Sequence, residues 1–74
     1  MEAYRDWDRD SGVEAFEIGG DSITIRFRKG GTYLYTYASA GASAIERMKV
    51  LARAGDGLNS YINDYVGKSY SRKW

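Results

Sequence analysis

The chain has 74 residues, a formal net charge of +1, and no Cys, His or Pro. That length leaves room for one modest core. Without Cys or His there is no disulfide framework, no thiolate or imidazole zinc site, and no catalysis built on a His base or a Cys nucleophile.

In chain order, residues 1–12 (MEAYRDWDRDSG) mix Tyr4 and Trp7 into a charged stretch without a period. They are expected to form an acidic arm whose aromatics dock on the body. VEAFEI from Val13 to Ile18 precedes the Gly19-Gly20-Asp21 break. SITIRFR then alternates, with Ile23, Ile25 and Phe27 on one side and Thr24, Arg26 and Arg28 on the other, as a half-buried strand does. TYLYTY follows Lys29-Gly30-Gly31 with the same period and is rich in β-branched and aromatic residues. Three strands in an antiparallel meander are the simplest arrangement.

The period changes at ASAGASAIERMKVLARAG. Ala44, Ile45, Met48, Leu51 and Ala52 fall in one arc of a helical wheel, with Glu46, Lys49, Val50 and Arg53 opposite. Ser39 or Ser43 suits the N-cap and Gly55 the stop. In GLNSYINDYVGK, the positions Leu58, Tyr61, Ile62, Tyr65 and Val66 predict a second helix, with Asp56 as its cap, Gly67 as its end, and both tyrosines in the core stripe. The fold class expected is α+β, a three-stranded antiparallel meander followed by two helices packed on one face of the sheet. The division expected is an arm (1–12), a single domain (13–70) and a basic tail (71–74) that either frays or extends a basic surface.

The faces of the tyrosine strand depend on the hairpin loop. A two-residue turn at Gly30-Gly31 sets Arg28 opposite Tyr33 and Arg26 opposite Tyr35, and a turn at Lys29-Gly30 keeps the same faces. Tyr33, Tyr35 and Tyr37 would then form an open aromatic and cationic face. A three-residue turn from Lys29 to Gly31 sets Phe27 opposite Tyr33 and makes the tyrosines core, because side chains in a strand alternate with a period of two. Double glycine suits a tight turn, and Leu34 would join Ile25 and Phe27 inside, so the reading favours the open face.

The order I-T-I-R-F-R-K-G-G-T-Y-L-Y, then a helix, then G-D-G-L-N-S-Y-I resembles the KTSC domain. The matching residues are Ile23, Ile25, Phe27, the glycine turn, Tyr33 and Tyr35, then Gly55, Leu58, Asn59 and Ile62, over about Val13 to Tyr70. The chain departs from that family where its usual Val-Pro is replaced by Ala38-Ser39-Ala40, and in a shorter first strand and turn. The resemblance implies a bacterial or phage-borne stand-alone domain of unknown function, for which RNA binding has been a suggestion, and it supplies no catalytic residues.

Charge divides unevenly. Residues 1–21 hold seven acids against Arg5 and Arg9, and the remainder holds nine bases against Glu46, Asp56 and Asp64. A basic body suits an anionic partner. Neither glycine pair has the spacing of a phosphate-binding fingerprint, no EF-hand spacing occurs, and no acid or base pair stands out for catalysis, so no catalytic residue, metal site or cofactor is expected. The apolar stretches are far shorter than the ~20 residues that span a bilayer, and charges follow Met1 where a signal peptide would be apolar. A cytoplasmic protein without membrane contact is expected. Two functions are carried forward. One is a non-enzymatic module binding single-stranded RNA or DNA through Arg26, Arg28, Lys29, Tyr33, Tyr35 and Tyr37. The other is a protein-interaction or self-assembly domain using the same face or the VEAFEI edge.

Overall fold

A computed structural model describes residues 1–7 and 12–74; Asp8, Arg9, Asp10 and Ser11 of the arm lie outside the described residues. The fold is α+β. Five strands, β1 (Glu2–Ala3), β2 (Val13–Ile18), β3 (Ser22–Phe27), β4 (Gly31–Thr36) and β5 (Arg72–Lys73), form an antiparallel sheet in the order β1-β2-β3-β4-β5. The helices are α1 (Tyr37–Ala40), α2 (Ala42–Ala54) and α3 (Leu58–Tyr61), the last running into a π-helical turn over Ile62–Val66. The expected meander of three strands is therefore extended at each edge by a two-residue strand too short to carry a period.

Strand β2 does not alternate strictly, and a bulge explains why. Val13 pairs with Phe27 while Ala15 pairs with Arg26, leaving Glu14 as the extra residue. Val13 and Phe16 consequently both face the core, three positions apart. β1 lies along this strand, so VEAFEI is not the outer edge expected from its sequence.

The hairpin register overturns the favoured reading of the tyrosines. Phe27 pairs with Gly31, Ile25 with Tyr33 and Ile23 with Tyr35 across a three-residue loop, Arg28 to Gly30. Tyr33 and Tyr35 therefore share the core side with the isoleucines, and Leu34 takes the other face. The loop is one residue upstream of the three-residue alternative, and Gly31 opens β4 with φ 86°. A Cβ there would stand 2.9 Å from the Trp74 carbonyl oxygen, so Gly31 serves both the loop exit and the approach of β5. Area decides the parity: Tyr35 is only 2 % exposed, and a small core gains more from burying such a ring than from leaving it in water.

At the end of β4 the cap of α1 is Thr36, whose side chain accepts from Ser39 N while Ser39 Oγ accepts from Thr36 N. Ser39 is thus the reciprocal partner of a capping box rather than the cap itself, and Ser43 makes no cap. The expected stripe of α2 packs inward through Ile45, Met48 and Ala52, but Lys49, expected opposite, is buried at 5 % exposure. Its Nζ donates to the Gly20 carbonyl at 2.9 Å and to Glu46 Oε2 at 2.8 Å, tying α2 to the turn between β2 and β3. The long methylene stem covers apolar surface while the ammonium keeps polar partners.

Gly55 ends α2 in the left-handed region at φ 73°. Gly57, not Asp56, precedes α3. Leu58, Ile62 and Val66 are buried, whereas Tyr65, expected in the core, is 76 % exposed. The wider i→i+5 turn brings Val66 back over Ile62 and swings Tyr65 to solvent, where its ring lies 5.1 Å from that of Tyr61. The arm docks at the junction of these helices. Leu58 N donates to the buried Tyr4 hydroxyl at 3.2 Å, Trp7 Nε1 donates to the Ala54 carbonyl at 2.9 Å, and Trp7 N donates to the Gly55 carbonyl. No helix among the described residues is long and apolar enough to cross a membrane.

Candidate ligand cleft

With α2, α3 and the π turn on one face of the sheet, a cleft of about 390 Å³ opens between the β4–β5 edge and the π turn. Phe27 on β3 and Tyr33 and Tyr35 on β4 make its floor. Asn59, Ile62 and Asn63 line it from α3 and the π turn, and Gly67, Lys68, Tyr70 and Lys73 from the segment leading into β5. The rings are ordered against one another. Tyr33 stacks on Tyr35 with centroids 6.3 Å apart and planes at 19°, and Tyr70 meets Tyr33 edge-on at 4.9 Å and 76°. Phe27 closes the other side of Tyr33 at 5.3 Å and 86°.

Among the described residues, two ammoniums and no carboxylate line this cleft. Lys73 Nζ stands 5.9 Å from the centroids of both Tyr33 and Tyr70, within cation–π range. Among the described residues neither Lys68 nor Lys73 forms an ion pair. The Tyr35 phenol is pushed up to about 12, first by burial and then by the neighbouring Tyr33 and Tyr70 phenols. It therefore stays protonated near neutrality. The cleft offers ring faces and edges, two amides and two positive charges, a donor set that suits a flat aromatic group carrying an anion.

The sequence-derived site residues separate into four places. Tyr33 and Tyr35 meet in the cleft. Tyr37 begins α1 and donates its hydroxyl to Glu46 Oε2 at 2.7 Å, with Lys49 Nζ 5.8 Å from its ring centroid. These two donors hold the Glu46 carboxyl below its usual range, Lys49 first and Tyr37 second, and the same bond raises the Tyr37 phenol. Arg26 is on the opposite face of the sheet, 3.8 Å from Glu14. Arg28 lies in the hairpin loop, 3.4 Å from Asp6, beside the exposed Lys29. The single platform expected from these six residues is not formed.

Sequence reading did not assign Tyr70, Asn63, Lys68 and Lys73 to a site. The signal for Lys68, Tyr70 and Lys73 was the basic, aromatic run GKSYSRKW that follows the G-x-x-hydrophobic-N-x-x-I pattern, and Asn63 had none. A second cavity of about 500 Å³, lined by Glu2, Arg5, Phe16 and Arg53 among others, mixes opposite charges and lacks a cluster of rings. No family model, curated protein or solved structure matches the chain.

Proposed function

We propose that this chain is a non-enzymatic module that binds single-stranded nucleic acid, with one base entering the Tyr33/Tyr35/Tyr70 cleft and the adjoining phosphates meeting Lys68 and Lys73. The observation that carries the reading is the cleft lining among the described residues: the half-buried rings of Tyr33 and Tyr70 over the enclosed Tyr35, with two cations and no acid. Base–aromatic stacking contributes ~1–3 kcal/mol per base, and single strands bring unpaired bases that can enter such a cleft. Asn59 and Asn63 add amide donors and acceptors for a base edge. The KTSC resemblance belongs to the same proposal. Tyr33, Tyr35, Asn59 and Ile62, which carry much of it, all line this one cleft.

The test is titration of labelled RNA and DNA oligonucleotides at low salt, read by anisotropy. Wild-type protein is expected to bind, Tyr70→Ala to weaken binding ~10-fold or more, in line with the value of one stacked base, and Lys68→Ala with Lys73→Ala to flatten the salt dependence by roughly 0.7 per cation. Lys68 and Lys73 are exposed, so their variants leave the core intact, whereas Tyr70 packs against it, and circular dichroism must show Tyr70→Ala folded before its affinity is read. Absence of binding at low salt, or affinity untouched by all three changes, would overturn the proposal.

A further inference from the structure

The helices pack on one side of the sheet, and no helix among the described residues lies on the other. Pairing fixes what that side presents. Arg26 is opposite Thr32 and Thr24 opposite Leu34, and β5 continues these rows with Arg72 beside Leu34. Trp74 stands beside Thr32, since Thr32 N donates to the Trp74 carbonyl at 3.1 Å and Trp74 N to the Thr32 carbonyl at 2.8 Å. Trp74 is 61 % exposed, and the Arg72 guanidinium lies 5.2 Å from its ring centroid. On the β2 side of this face Glu14 is 3.8 Å from Arg26 and Glu17 lies across from Thr24.

Because strand side chains alternate, β5 serves both sides of the sheet edge. Lys73 turns into the cleft while its neighbours Arg72 and Trp74 stand on the open face. We infer that this face, through Arg26, Arg72 and Trp74, is a second contact surface for single-stranded nucleic acid, and that one strand passes from the cleft over the β5 edge onto it. The inference rests on the cleft reading for its ligand class but uses none of its residues. Charge selects the occupant. An exposed indole with two guanidiniums matches a polyanion with stacking bases, and the side chains between them, Thr24, Thr32 and Leu34, are uncharged. The guanidiniums of Arg26 and Arg72 and the Trp74 indole are exposed, so they can be reached without rearrangement.

The experiment compares a dinucleotide with a strand of about eight nucleotides, a length within the ~4–16 that one small sheet domain covers. Trp74→Ala is expected to lower the affinity of the longer strand about tenfold and to leave the dinucleotide unchanged. Arg26→Ala with Arg72→Ala should reduce the salt slope for the longer strand by roughly 1.4, at ~0.7 per cation. Binding of the longer strand should quench tryptophan emission in the wild type and much less in Trp74→Phe. Equal affinities of wild type and Trp74→Ala for the longer strand would overturn the inference. So would a Trp74→Ala protein whose only change is its state of self-association, since the face would then be an interface between copies. If the open-face variants fail and the cleft variants do not, the cleft reading falls and this surface stands; the converse removes this inference alone.

Discussion

Tyr35 is the largest side chain that the core encloses, and its chemistry follows from that position. Folding raises its ionisation from the ordinary value of 10.0 to about 12. The native state therefore holds this proton more tightly than the unfolded chain does. The stability that this contributes is complete below pH 10 and is lost as pH rises towards 12, because the unfolded phenol ionises first. At about 1.4 kcal/mol per unit, the loss reaches ~2–3 kcal/mol. Alkaline titration followed by phenolate absorbance and circular dichroism is expected to show Tyr35 ionising together with unfolding. Tyr35→Phe should move the alkaline unfolding midpoint to higher pH. Lys49 shows the same dependence on surroundings. A wheel drawn from sequence sets its charge in water, yet the Gly20 carbonyl and Glu46 give the ammonium enough partners to be enclosed.

Among the elements, the junction of α2 and α3 is held by the arm as well as by the Gly55 cap of α2. Gly55 must be left-handed, and a Cβ on it would come within 2.7 Å of the Arg5 Cβ and 3.2 Å of Trp7 Nε1. Gly55→Ala is expected to cost roughly 1–2 kcal/mol from backbone conformation alone, and more because the arm must shift. At ~4–8 °C per kcal/mol for a domain of this size, a thermal melt should fall by at least ~5 °C. What was legible in the sequence follows the same division. β3 could be read because Ile23, Ile25 and Phe27 repeat without interruption, and α2 because its apolar arc is continuous. The parity of Tyr33 and Tyr35 could not be read, since Gly30-Gly31 suits loops of two lengths and a contact that fixes Gly31, the Trp74 carbonyl, comes from the far end of the chain. Two-residue strands carry no period, and Tyr65 was misplaced because a π turn breaks the helical one. Of the cleft, the sequence offered Tyr33, Tyr35 and Asn59 as separate features. Their convergence with Tyr70 and Lys73 needed the β4–β5 pairing.

Across the whole molecule, the first and last strands form opposite edges of one sheet, and the two ends are held to different degrees. A core of this size rarely leaves more than ~3–5 kcal/mol of net stability, and truncating a large buried ring costs about as much. Tyr4→Ala also removes the hydroxyl that caps α3. It is expected to leave the chain largely unfolded at room temperature, as circular dichroism would show, whereas Tyr4→Phe should lose only ~1 kcal/mol for the hydrogen bond. β5 stands at the other extreme. It is exposed, two residues long and bound to β4 alone, so its opening should need far less free energy than global unfolding. The amides of Thr32 and Trp74, which cross that seam, are expected to exchange with deuterium ahead of those in β3. The same seam carries Lys73 on one side and Arg72 on the other, so a strand bound across it must slow both amides by a factor of about 1 + [L]/Kd. Two backbone protons on the sheet edge thus become a clock for occupancy, one that needs neither a label on the ligand nor a substitution in the protein.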